Sequence, residues 1–187
     1  MAAPERLYFT GDDEADALIA QDPLALLIGF ALDQQVTVQT AFAGPLKLQR
    51  RLGPLDAKAI AATDPAELEA LFRQPPAIHR FPGSMAKRVH DLCDHIVTEY
   101  DGHAERVWTE AKDAKDLERR IRSMPGYGDM KVKAFGAVLA HGRNGDVERA
   151  AALVAEIAEA EPLWLPAFER YEALGLLPEG VVARARR

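Results

Sequence analysis

Apolar residues recur at three- and four-residue steps along most of this chain, the spacing that gives a helix one buried face. Leu117, Ile121 and Met124 keep this step, and Val132, Phe135, Val138 and Leu139 repeat it. No segment alternates apolar and polar residues over five or more positions between turn residues, as a half-buried strand would. The pattern predicts an all-α protein of short helices. A first helix is predicted over 15–20, closed by Asp22-Pro23. Residues 24–52 read as one long helix, mostly apolar in its first half, broken near Gly44-Pro45 and stopped by Gly53-Pro54. Short helices follow over 56–63 and from Pro65 to about Arg73, the second opened by Asp64 as cap and Pro65 in the first turn. Ser84 is read as the cap of a helix over 85–100, which Asp101-Gly102 stops. Further helices are predicted over 104–111, 115–124, the stretch after Gly128, 147–160 and 166–174. The tail from Glu179, with Arg184, Arg186 and Arg187, reads as a frayed end.

One turn stands out in this series. Met124-Pro125-Gly126-Tyr127-Gly128 joins two amphipathic helices. Glycines tolerate positive φ and let a ligand approach the backbone closely. The helix that follows turns its positive end toward the same place, which favours a phosphate. Lys131 and Lys133 lie just beyond. Pro-Gly and Gly-x-Gly are also ordinary punctuation between helices. The flanks make the pattern more specific, because Arg119, Arg120, Arg122, Lys131 and Lys133 decorate the two helices around it.

Charge sharpens this picture. The chain has 187 residues, 48% hydrophobic and 28% charged, with net charge −6. That length suits one domain or two small lobes. Residues 1–33 hold seven acids against Arg6 alone, so the acidity is concentrated at that end. Residues 115–133 carry six basic side chains against three acids, and further basic side chains cluster over 46–58 and 79–90. Patches of this size bind nucleic acid weakly and with strong salt dependence, and each is also what a solvated helix face looks like. Cys93 is the one cysteine, so neither an internal disulfide nor a four-cysteine iron–sulfur or zinc site is available within the chain. His90 and His95 stand five apart, one step too far for two ligands on one helix face. No cofactor is expected. No apolar run reaches the length of a membrane span, and the first residues lack a basic, apolar leader, so no membrane contact and a cytoplasmic location are expected.

Three segments resemble the helix–hairpin–helix DNA glycosylases, the HhH-GPD superfamily that includes endonuclease III and the bacterial 3-methyladenine glycosylases. MPGYG with KVKAFGAVLA is similar to that family's hairpin and second helix. Leu32-Asp33-Gln34-Gln35-Val36-Thr37 is similar to its glutamine-bearing segment, and Phe81-Pro82-Gly83-Ser84-Met85-Ala86-Lys87-Arg88-Val89 to the turn and helix before the hairpin. Order and spacing agree over about 20–142. The LDQQ, AFAGP, HRFPGSMA and PGxG blocks resemble most closely a bacterial subfamily of helix–hairpin–helix repair proteins. The resemblance implies two helical lobes with a cleft between them: 1–30 joined to 143–187, and a bundle over 31–142 that contains the hairpin at about 113–141. It implies double-stranded DNA as partner, with a phosphate on the Gly126 and Gly128 amides and a monovalent cation on hairpin carbonyls. Tyr127 is expected at the hairpin tip, Lys131 and Lys133 beside the DNA, and Gln35 in the gap left by an extruded base.

The chain departs from the family pattern at two places. Family members with lyase activity carry a lysine two residues after the second hairpin glycine, where Met130 stands here. Lys131 is one place later, about 100° around the helix, so lyase chemistry is not expected. The family's catalytic aspartate falls about twenty residues after that glycine. Asp146 is the nearest candidate, two residues early, where a helix cap is also due. Asp129 and Glu148 are weaker alternatives. The expected activity is therefore cleavage of an N-glycosidic bond without strand cleavage. A catalytically silent DNA-binding protein on the same fold and a protein-interaction module using the acidic end remain alternatives.

Overall fold

Capping acids and prolines set most helix boundaries. A computed structural model of the chain describes residues 5–144 and 147–185. The Asp12 carboxylate accepts the Glu14 and Ala15 amides and opens α1 (Asp13–Gln21). Asp22 stops α1 and caps α2 (Pro23–Leu32) through the Leu24 and Ala25 amides, with Pro23 presetting the first turn. Thr37 caps α3 (Val38–Leu52), Asp56 caps α4 (Ala57–Ala62), and Asp64 caps α5 (Pro65–Arg73). Then come α6 (Pro82–Tyr100), α7 (Arg106–Thr109), α8 (Ala114–Ser123) capped by Asp113, α9 (Asp129–Asn144) and α10 (Val147–Ala160). A 3₁₀ turn (Pro162–Trp164), α11 (Leu165–Ala173) and α12 (Val181–Ala185) complete the order. Among the described residues there is no strand.

Three boundaries differ from the sequence reading. The long helix over 24–52 opens at 33–37, and α3 runs through Pro45. α2 is buried on all sides, from Leu24 to Leu32, so the polar Asp33-Gln34-Gln35 cannot continue along its path. Pro45 costs α3 one backbone hydrogen bond, and the helix continues on side-chain packing. α6 begins at Pro82, before Ser84, because proline fits the first helical position. The tail holds α12, anchored by the buried side chains of Val181 and Val182.

α2 is the centre of the core. α3 lies so close to it that a Cβ on Gly29 or Gly44 would come within 2.4 Å of Phe42 or Leu32. α6 lies across α2, α4 and α5, while α9 pairs with α10, which also meets α12. The N-terminal segment reaches the C-terminal helices. Tyr171 Oη accepts the Tyr8 amide at 3.1 Å, and the Phe9 ring touches Phe42, Trp164 and Tyr171. Buried Asp16 fastens this segment by accepting the amides of Phe9, Thr10 and Gly11 and the Thr10 hydroxyl. No single helix among the described residues is long and apolar enough to cross a membrane.

Candidate functional site

The α8–α9 hairpin is pinned to α2. Met124 is buried, and the buried Tyr127 hydroxyl donates to the Leu27 carbonyl at 2.6 Å. The tyrosine expected at a DNA-facing tip is therefore an internal anchor, because its ring is apolar and its hydroxyl finds a partner within the core. Gly126 and Gly128 do different things. Gly126 has φ +80°, and a Cβ there would meet Arg88 Cδ at 2.8 Å. Gly128 has no positive φ, and a Cβ there would meet nothing within 4 Å. The fold needs the first glycine. The second leaves the backbone bare beside the first turn of α9, where free amides and the helix dipole favour an anion.

Much of the basic charge around the hairpin is already engaged. Arg119 and Arg120 bind Asp116 at 2.5 and 2.9 Å, which holds the Asp116 carboxyl well below the usual range. Arg122 bridges Glu118 and, across the hairpin, Asp129. This second contact offsets an acid at the very place where a phosphate would sit. Lys133 pairs with Glu156 at 2.7 Å on the outer face, away from the cleft.

The segment over 33–37 faces the hairpin. Its first two polar side chains are each tied to a different element. Asp33 Oδ2 accepts the Trp164 indole N–H at 2.9 Å, and Gln34 Oε1 accepts Arg88 Nη1 at 2.9 Å. Since Arg88 also lies against Gly126, it links the hairpin to the glutamine segment. Gln35 is exposed at φ 55°, a left-handed conformation that costs a non-glycine residue and clusters at functional sites. Buried His79 lies beneath, its Nδ1 accepting the Phe81 amide at 3.0 Å.

Between the two walls is a cleft of about 440 Å³, lined by Asp33, Gln34, Gln35, Gly128, Lys131 and Trp164 among others. This volume falls within the range of small-ligand sites. Lys131 enters it although it stands one place past the family's lysine position, and Met130 lines the same cleft. The Lys131 Nζ is buried, has no hydrogen-bond partner among the described residues and lies 5.7 Å from the centre of the Tyr127 ring. Burial pulls its pKa down to about 8, with Asp33 and Glu161 opposing the shift and Arg88 adding to it. Burial raises the Asp33 pKa, while the Trp164 N–H and Lys131 favour its charged form. The Met124 and Gly128 carbonyls accept the Tyr127 and Val132 amides, which leaves each oxygen a second lone pair. Neutral carbonyls of this kind suit a monovalent cation.

The structure thus brings Gln35, Gly126, Gly128 and Lys131 to one cleft, sets Lys133 outside it and turns Tyr127 inward. Asp146 lies outside the described residues. Asp33, Arg88 and Trp164 were missed as site residues. Asp33 and Arg88 lie inside segments the sequence singles out. Trp164 is 131 residues from its partner, and no local pattern signals it.

A model of the HhH-GPD superfamily, described as base excision DNA repair protein, matches residues 28–171. The chain belongs to this superfamily, whose members repair DNA by base excision. No curated protein and no solved structure matches the chain.

Proposed function

We propose that the protein binds double-stranded DNA through its hairpin and cleaves the N-glycosidic bond of a damaged base turned out into the cleft. One observation carries this reading: the bare backbone at Gly128 and the strained, exposed Gln35 stand on opposite lips of a cleft that holds both a carboxylate and an amine. A DNA phosphate resting on the hairpin amides would fix the duplex. A monovalent cation on the hairpin carbonyls would add positive charge at the same point. Extruding a base costs a few kcal/mol, least for a damaged or mispaired one, and the Gln35 amide can satisfy either partner in the gap. Hydrolysis then leaves an abasic strand intact.

Lys131 favours a second reading. An unpartnered amine with a pKa of about 8 is a usable nucleophile near neutral pH. Attack of the neutral amine on C1′ would displace the base with the electron pair of its C1′–N bond. Loss of the amine proton to the base and opening of the sugar ring would give an imine, and loss of a 2′ proton would then expel the 3′ phosphate and cut the strand. Incubation with duplexes carrying a range of lesions separates the readings. Base release with an intact abasic strand is expected. A borohydride-trapped cross-link that disappears in Lys131→Met would transfer the assignment to the amine route. Gly128→Glu should abolish duplex binding, since it places an acid where the phosphate would rest. Duplex binding without base release would mark a silent DNA-binding protein. Binding untouched by Gly128→Glu would remove the hairpin from the site.

A further inference from the structure

Asp33 stands at an unfavourable place for its own charge, although it supports the Lys131 ammonium in the same cleft. It caps the C-terminal end of α2, the negative end of the helix dipole. Its carboxyl is largely buried, and burial raises its pKa. Asparagine would accept the same Trp164 hydrogen bond without either penalty. Perturbed carboxylates of this kind gather at sites of chemistry. The surroundings say which chemistry. Asp33 precedes the Gln34-Gln35 lip and faces Lys131 and Glu161, with Arg88 holding the next residue. A nucleotide whose phosphate rested at Gly128 and whose base had passed Gln35 would carry its sugar between these walls.

We propose that Asp33 is the carboxylate that serves the reacting sugar, with Trp164 as its positioning residue. This rests on the glycosylase reading and assigns the role that the family resemblance gave to Asp146. The C1′–N bond breaks, and its electron pair leaves with the base. The positive charge spread over C1′ and the ring oxygen then faces the Asp33 carboxylate. Water adds its oxygen to C1′ and passes a proton to Asp33 Oδ1, which hands it to the departing base. Trp164 holds Oδ2. The Lys131 ammonium keeps the carboxylate ionised while it waits.

The test is single-turnover base release by the full chain, measured against pH on the lesion duplex that the wild type cleaves best. Asp33→Asn should lose about 100-fold or more in rate, the usual scale for such a group, and should lose the acidic limb of the profile. It should also keep duplex affinity and melt cooperatively with a Tm close to wild type, because shedding a buried carboxylate is offset by the support that the Lys131 ammonium loses. Trp164→Phe removes a donor to the charged form, so its acidic limb should move to higher pH. An Asp33→Asn rate within about threefold of wild type overturns the assignment, and a loss confined to Asp146→Asn returns the role to that residue. Absence of base release by the wild type on every lesion overturns the glycosylase reading itself, a different result from an active wild type with an active Asp33→Asn.

Discussion

Lys131 shows how far one residue can be read from its neighbours in sequence. Its place on α9, one step past the family's lysine position, argues against lyase chemistry and leaves it a contact beside the DNA. In the structure its long stem carries the amine into the cleft that Asp33 and Glu161 also line, within electrostatic reach of Arg88. These partners come from α6, the segment after α2 and the residue before the 3₁₀ turn, so no local pattern could announce them. The glycines were legible because their reasons are local: a positive φ at Gly126 and a bare backbone at Gly128. The buried amine has a thermodynamic consequence. Its folded-state pKa is lowered from 10.5 to about 8. Below pH 8 both folded and unfolded chains carry the proton, and the fold bears the whole penalty of burying it. Between about 8 and 10.5 the folded chain releases the proton while the unfolded chain keeps it, so this residue's contribution to stability rises with pH. Lys131→Met should therefore be more stable than wild type at pH 7 by at most on the order of 1–3 kcal/mol, reduced by the cost to buried Asp33 of losing its cation. The advantage should shrink toward zero as pH approaches 10. Urea denaturation at the two pH values measures both.

At the scale of elements, the capped helices were the easiest to read. Asp64-Pro65 opens α5 where expected, because cap and proline chemistry act within one turn. The opening after α2 was not legible, since apolar residues resume at Val36 and Val38 and Pro45 is the louder signal. Only the burial of α2 on every side decides that the chain must turn at Asp33. The hairpin joins both lessons, and its two glycines make separable predictions. Gly126→Ala forces a side chain into the left-handed region and against Arg88, so it should cost about 1–2 kcal/mol of stability and loosen Arg88 from Gln34. Gly128→Ala meets open space and should change stability by less than about 0.5 kcal/mol. Its added methyl should nevertheless weaken duplex binding, because it stands where a phosphate must approach. Thermal melts alongside binding titrations separate the two effects. Equal loss of stability in both variants would mean that Gly128 serves the fold after all.

At the scale of the molecule, the continuity of the core matters most. Buried apolar residues form one cluster that runs from Leu7 through α2, α3, α6 and α9 to Val182. The family resemblance implies that the N-terminal segment joins the C-terminal helices, but no local pattern in the sequence names the residues that meet. That meeting depends on aromatic contacts across more than 150 residues. Phe9 is its keystone, since its ring touches Phe42 of α3, Trp164 of the 3₁₀ turn and Tyr171 of α11. Trp164 in turn holds Asp33 at the cleft. Removing the ring therefore acts on stability and site together. Phe9→Ala should cost about 3–5 kcal/mol, the usual range for a buried phenylalanine. It should also lower base release more than duplex affinity, because the hairpin is anchored separately through Tyr127 and α2. A single core further implies that α2 and the C-terminal helices unfold together. Tryptophan fluorescence and far-ultraviolet circular dichroism should then report one coincident transition in urea, for the wild type and for Phe9→Ala alike. Two separated transitions would instead mean that the N- and C-terminal helices form a lobe that melts independently of the hairpin bundle, and Phe9→Ala would then shift only one of them.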